Sequence, residues 1–131
     1  MIAKAKVRHL RMTARKARMV IELVRGKSAR AALTILAHTP KRAAAAVNKI
    51  VRSAIANARQ QGAAEDGLYI SRIFADEGTM WKRFRAASFG RGTRIRKRTC
   101  HITVELDSAA PAAVSAGNKA TRAVKRKQKI G

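Results

Sequence analysis

The chain has a single cysteine, so it makes no disulfide with itself and suits a reducing compartment. It lacks any apolar run near the roughly 20 residues that cross a bilayer, which argues against a membrane partner. No secretory signal is visible. The first eighteen residues are basic and acid-poor, as in a transit peptide, but they alternate like a strand and are read as part of the folded domain. No glycine-rich phosphate loop precedes a helix. His9, His38 and His101 are far apart, and Cys100 and His101 are adjacent, so they fall on opposite faces of a strand. The three or four convergent ligands of a metal site are therefore missing. No nucleophile stands beside a base. The expectation is a protein that is not an enzyme, with no cofactor and no metal.

Acids are the scarcest class in relation to their counterparts. Seven Asp and Glu face 30 Lys and Arg, for a net charge of +23. That balance makes phosphate the default partner. Aromatics are few, and Trp81, Phe84 and Phe89 all lie inside one basic stretch, GTMWKRFRAASFGRGTRIRKR, residues 78–98. The stretch holds Lys82, Arg83, Arg85, Arg91, Arg94, Arg96, Lys97 and Arg98 and no acid. After it, Cys100, Ile102, Val104 and Leu106 alternate with Thr99, His101, Thr103 and Glu105, the period of a half-buried strand. Before it, LYISRIFADE alternates less cleanly, with Arg72 where an apolar residue would fit. Two strands joined in this way form an antiparallel hairpin whose far end leaves the protein. At about 3.3 Å per residue, arms of about twelve residues reach ~40 Å. A bare hairpin is marginal in water, and like charges along it repel. It is either a solvated loop or, when bound, a ribbon inside nucleic acid. Bases stack on rings and guanidinium planes, and Trp81 and Phe84 serve such stacking or pack across the hairpin. Phe89 is expected to be exposed.

Elsewhere the pattern is regular. Residues 2–12 alternate, with Ala3, Ala5 and Val7 on one face and Lys4, Lys6 and Arg8 on the other, and the phase breaks near His9 and Leu10. Thr13 caps a helix to Arg25, closed by Gly26; Ala17, Val20, Ile21 and Val24 are its buried stripe. Arg15, Lys16 and Arg18 crowd its first turns against the helix dipole, which suits a bound anion; the alternative is solvated residues with Arg18 paired to Glu22. Ser28 caps a second helix to His38, with Ala32, Leu33 and Leu36 inward. Thr39 as cap and Pro40 as first residue start a third helix, which runs to Gln60 with Ala43, Val47, Ile50, Val51, Ala54 and Ala58 as its stripe. Lys41, Lys49, Arg52 and Arg59 lie on its outer side. Asn57 donates to backbone or to RNA.

The fold class expected is α+β: a three-stranded antiparallel sheet packed on three helices, with a long protruding hairpin and a basic C-terminal tail. Residues 1–106 form the RNA-binding domain and 107–131 a flexible tail. Candidate RNA contacts are Lys4, Lys6, Arg8 and Arg11 on the first strand and its end. Arg15, Lys16, Arg18, Arg25 and Lys27 join them from the first helix, and Lys82, Arg83, Arg94, Arg96, Lys97, Arg98 and His101 from the hairpin. A DNA-binding protein with β-ribbon arms is the competing class. Such proteins dimerise, and no apolar dimer face is visible, so no homo-oligomer is expected.

ARKARMVIELVRGK (14–27), AALTILAHTPKRAA (31–44), SAIANA (53–58), FADEG (74–78) and KRTCHITVEL (97–106) together resemble the bacterial-type large-subunit ribosomal protein L twenty-two family. The resemblance implies a cytoplasmic ribosomal protein at the surface of the large subunit near the nascent-chain exit. Its partners would be large-subunit rRNA, neighbouring ribosomal proteins and the nascent polypeptide, with a role in early assembly. Lys82, Arg83, Gly90, Arg91, Arg94, Lys97 and Arg98 match family hairpin positions. The resemblance also implies that the tip lines the exit tunnel, through Phe84, Arg85, Ala86, Ala87, Ser88, Phe89, Gly90, Arg91 and Gly92. The family usually carries a Pro-Arg-Ala run there; this chain has Ala86, Ala87 and Ser88.

Overall fold

A computed structural model gives the architecture and describes residues 1–108; the expected tail, apart from Asp107 and Ser108, lies outside the described residues. Strands β1 (Ala3–Leu10), β2 (Tyr69–Glu77) and β5 (Cys100–Asp107) form one antiparallel sheet in the order β1-β5-β2. Helices α1 (Ala14–Val24), α2 (Ala29–His38) and α3 (Arg42–Gln60) cover one face. α3 lies on β1 and β5, α1 lies on β2, and α2 packs against α1 and α3. Strands β3 (Trp81–Ala86) and β4 (Gly92–Lys97) form a separate antiparallel ribbon.

The core follows the apolar stripes. Ala17, Val20, Ile21 and Val24 of α1 meet Val47, Val51, Ala54 and Ala58 of α3 above Ile70, Ile102, Val104 and Leu106 of the sheet. Eleven of the 25 buried apolar residues are alanine, so the layers approach closely while each residue removes little apolar area from water. No aromatic side chain is among those buried residues. Cys100 is a small core residue whose thiol is pushed up from its ordinary pKa by burial.

The edges of the sheet are covered by polar side chains from the helices. An edge strand presents unpaired carbonyls. On β2, Arg18 donates from Nε and Nη2 to the carbonyl of Ala75 at 3.1 and 3.0 Å, and Arg25 Nη2 donates to that of Ile73 at 3.4 Å. The start of β2 is paired by the backbone before α2: the Ala29 N–H donates to the Leu68 carbonyl, and the Ile70 N–H to that of Lys27, each at 2.9 Å. On β1, Asn57 Nδ2 donates to the Lys4 carbonyl at 3.0 Å, the backbone role rather than the RNA one. Arg18 therefore does not pair with Glu22, which binds Arg25 at 3.0 Å instead.

Three local features depart from the sequence reading, and two irregularities that it noted have a structural cause. The expected break in β1 is a register shift between Val7 and Leu10, with His9 at φ 54°. In β2 the untidy alternation is another shift between Ile70 and Arg72, which keeps both Ile70 and Ile73 inward and turns Arg72 outward. β5 is not half-buried. It is the central strand, and on its outer face Thr103 is 1% and Glu105 8% exposed, shielded by Lys4 and Lys6 on one side and Arg72 and Phe74 on the other. Thr39 does not start α3. Its hydroxyl donates to the Ile35 carbonyl at 2.7 Å and closes α2, while Lys41 is the N-cap of α3 with no side-chain cap bond. β5 also runs one residue past Leu106. Asp107 pairs with Tyr69, and its carboxyl is held below the ordinary range by the N-terminal ammonium at 2.8 Å and then by the Ser108 N–H.

The ribbon joins the sheet through a tight neck. The Gly78 N–H donates to the Thr99 carbonyl at 2.9 Å, and Thr99 Oγ1 donates to the Thr79 carbonyl at 2.7 Å. A Cβ on Gly78 would lie 2.5 Å from Thr99 Oγ1 and 3.1 Å from the His101 ring. Gly78→Ala therefore forces the neck apart and should cost about 1–3 kcal/mol, read as a lower urea midpoint at unchanged slope. An unchanged midpoint would mean that the neck is slack.

Candidate nucleic-acid interface

Every residue from 81 to 98 is exposed. The ladder pairs Trp81 with Lys97, Lys82 with Arg96, Arg83 with Ile95, Phe84 with Arg94, Arg85 with Thr93 and Ala86 with Gly92. Directly opposed residues share a face, so one face carries Arg83, Arg85 and Lys97 and the other Lys82, Arg94 and Arg96. Lys82 and Arg96 stand opposite each other, where like charges destabilise a ladder. The Arg94 guanidinium lies 5.9 Å from the Phe84 ring centroid, a cation–π contact across the ribbon.

At the tip, the Ala87 N–H donates to the Arg91 carbonyl at 2.8 Å and closes a short loop. Within it Phe89 has φ 58° and Gly90 φ 65°. A left-handed phenylalanine is uncommon, and its side chain is 96% exposed. The exposed Phe89 agrees with expectation.

The sequence-predicted contacts on the domain fall into two groups. Lys6, Arg8, Arg11, Arg15, Lys16 and Lys27 are exposed, with no acidic partner among the described residues. The others also serve the fold. Lys4 reaches Glu105 at 3.1 Å, and Arg18 and Arg25 hold the β2 edge. His101 Nδ1 accepts the His9 backbone N–H at 3.0 Å, and its ring meets that of His9 edge-on at 4.7 Å. Ion pairs engage Glu22, Glu65, Asp66, Glu105 and Asp107. None of their partners belongs to the ribbon.

The strand end, two helix starts and the ribbon root converge on one groove of about 790 Å³. The β1–α1 turn contributes Arg11, Met12 and Thr13, and the root contributes Trp81, Arg83, Arg96, Lys97 and Arg98. Lys16 enters from α1, and Lys41 and Arg42 from the start of α3. Eight of its fourteen lining residues are Lys or Arg and none is acidic. Sequence reasoning singles out six of these cations, puts Lys41 on the outer side of its helix and passes over Arg42. The signal available is the one used for α1: basic residues at a helix start oppose the dipole. Among the described residues no three His, Cys, Asp or Glu side chains gather to hold a metal ion, and no helix is long and apolar enough to cross a membrane.

A family model described as Ribosomal protein L22p/L17e matches residues 5–107. A protein named Large ribosomal subunit protein uL22 from Syntrophotalea carbinolica is 50% identical over 108 residues, covering 82% of this chain and 98% of the relative. The protein of the same name from Bifidobacterium animalis subsp. lactis is 49% identical over 114 residues, covering 82% and 96%. That from Bifidobacterium longum is 51% identical over 110 residues, covering 79% and 92%.

Adjacent arginines on α1 should separate by role. Arg18→Ala removes the bonds to the Ala75 carbonyl and should lower folding stability by about 1–2 kcal/mol. Arg15→Ala should stay within about 0.5 kcal/mol. Paired urea titrations read both, and equal stabilities would show that the edge needs no cap.

Proposed function

The chain belongs to the ribosomal protein L22p/L17e family, and we propose that it works as a structural, non-enzymatic constituent of the bacterial-type large ribosomal subunit. It binds large-subunit rRNA in the cytoplasm, among neighbouring ribosomal proteins, and supports subunit assembly. Residues 1–106 are the rRNA-binding unit. Lys6, Arg8, Arg11, Arg15, Lys16 and Lys27 present charge from rigid elements, and Lys82, Arg83, Arg94, Arg96, Lys97 and Arg98 present it along the ribbon. Lys4, Arg18, Arg25 and His101 contribute to RNA only what their structural bonds leave over. The tip from Phe84 to Gly92 lines the nascent-peptide exit tunnel, with Phe89, 96% exposed, at its end.

The observation that carries this reading is the basic ribbon itself. It is exposed throughout and carries positive charge on both faces, and none of the ion pairs among the described residues reaches it. Such an element is stable only in an anionic surrounding on all sides. A nucleoid DNA-binding protein would use two such arms from a dimer to clasp a duplex, whereas a single arm with cations on both faces fits a passage walled by RNA.

Removing Arg85–Arg94 and closing the arms with a tight turn tests the division of labour. No core residue is lost, so the shortened protein should fold with stability within about 0.5 kcal/mol of the parent. It should still enter large subunits, more weakly for want of three arginines, and it should change the response to a tunnel-stalling peptide. Normal incorporation with unchanged stalling would refute the lining role. Failure to enter subunits would make the ribbon the principal anchor.

A further inference from the structure

Trp81 is the only tryptophan of the chain, and nothing in the fold requires it. Its side chain is 54% exposed and stands outside the buried core. Its cross-ladder partner is Lys97, not an apolar residue. The Arg11 guanidinium, from the β1–α1 turn, lies 5.3 Å from the ring centroid. Ring and guanidinium thus form a composite platform, and both belong to the lining of the cationic groove.

A groove that gathered phosphate charge alone would have no use for an aromatic surface, since a phosphate gains nothing from a ring. A nucleobase does, because every base has a π-face that stacks on an indole or a guanidinium plane. The volume of about 790 Å³ lies within the ~300–1,000 Å³ of pockets that hold small molecules. It has room for a nucleotide. Bases in an A-form duplex are stacked on each other and out of reach of a ring. Around the platform, Lys16, Arg42 and Arg98 are placed for the flanking phosphates. The start of α3 adds its first-turn N–H groups, which no side chain caps.

We propose that the groove at the ribbon root holds one unpaired nucleotide of the rRNA, its base stacked on Trp81 against Arg11 and its phosphates held by the surrounding cations. This rests on the rRNA-binding role above and adds the element of RNA that is gripped at this point. The ribbon is then fixed at its root by a base as well as by charge.

The single tryptophan makes the test direct. The full chain is titrated with a dye-labelled single-stranded oligoadenylate at fixed salt, following Trp81 emission and dye anisotropy together. An RNA duplex of equal length and inorganic polyphosphate are the comparison ligands, and Trp81→Leu and Trp81→Phe are the variants. The single strand should quench the emission, and polyphosphate should bind with little quenching. Trp81→Leu should weaken single-strand binding about tenfold, while Trp81→Phe, which keeps a stacking face, should stay within about threefold of the parent. Duplex binding should change by less than about twofold in both. An unchanged urea midpoint confirms that the variants fold. Emission that is unchanged while anisotropy reports bound RNA would overturn the stacked nucleotide alone. So would Trp81→Leu binding the single strand as the parent does, or polyphosphate quenching equally. Absence of any RNA binding by anisotropy would overturn the rRNA-binding role and the stacked nucleotide together.

Discussion

Positive charge that the chain cannot neutralise is the constraint on which the structure depends. Five of the seven acids are already engaged in ion pairs on the sheet and helices. The other two, Asp76 and Glu77, end β2 and make no ion pair with the ribbon, where Lys82 and Arg96 face each other. Two-stranded ribbons are marginal in water even when neutral, and this one adds repulsion on both faces. Its order is therefore linked to the anions around it, and that linkage joins folding to binding.

The same excess shapes the domain. A core in which alanine is the commonest residue leaves little apolar area to stabilise it, so polar bonds at the sheet edges carry weight. Arg18 and Arg25 hold one edge and Asn57 the other. Some cations are thus structural and some are available, and α1 carries both kinds. The neck at Gly78 transmits the position of the sheet to the ribbon with little slack, since no side chain fits between it and Thr99.

Much of this was legible in the sequence because it depends on periodicity. The stripes of α1 and α3, the caps Thr13 and Ser28, the inner face of β5 and the break at His9 are local patterns with local causes. The features that were not legible depend on neighbours distant in sequence. Thr103 and Glu105 are buried by side chains of two flanking strands, which no reading of β5 alone shows. Arg18 looks like a helix-surface cation until the Ala75 carbonyl is placed beside it. Thr39 has two helices to serve, and the Ile35 carbonyl wins its hydroxyl. The groove assembles from four segments, so its charge was visible piecemeal and its shape was not. Trp81 was open between packing and stacking, and its cross-ladder partner Lys97 and the nearby Arg11 favour stacking.

Amide hydrogen exchange measured on the protein alone and within large subunits tests the dependence of the ribbon on surrounding anions most directly. The central amides of β5, at Ile102 to Glu105, should be slow in both states. Those of β3 and β4 that pair across the ribbon should exchange near the unprotected rate in the isolated chain and become protected in the subunit. Ribbon amides as slow in the isolated chain as in the subunit would show that it holds itself together against its own charge, and would contradict the account.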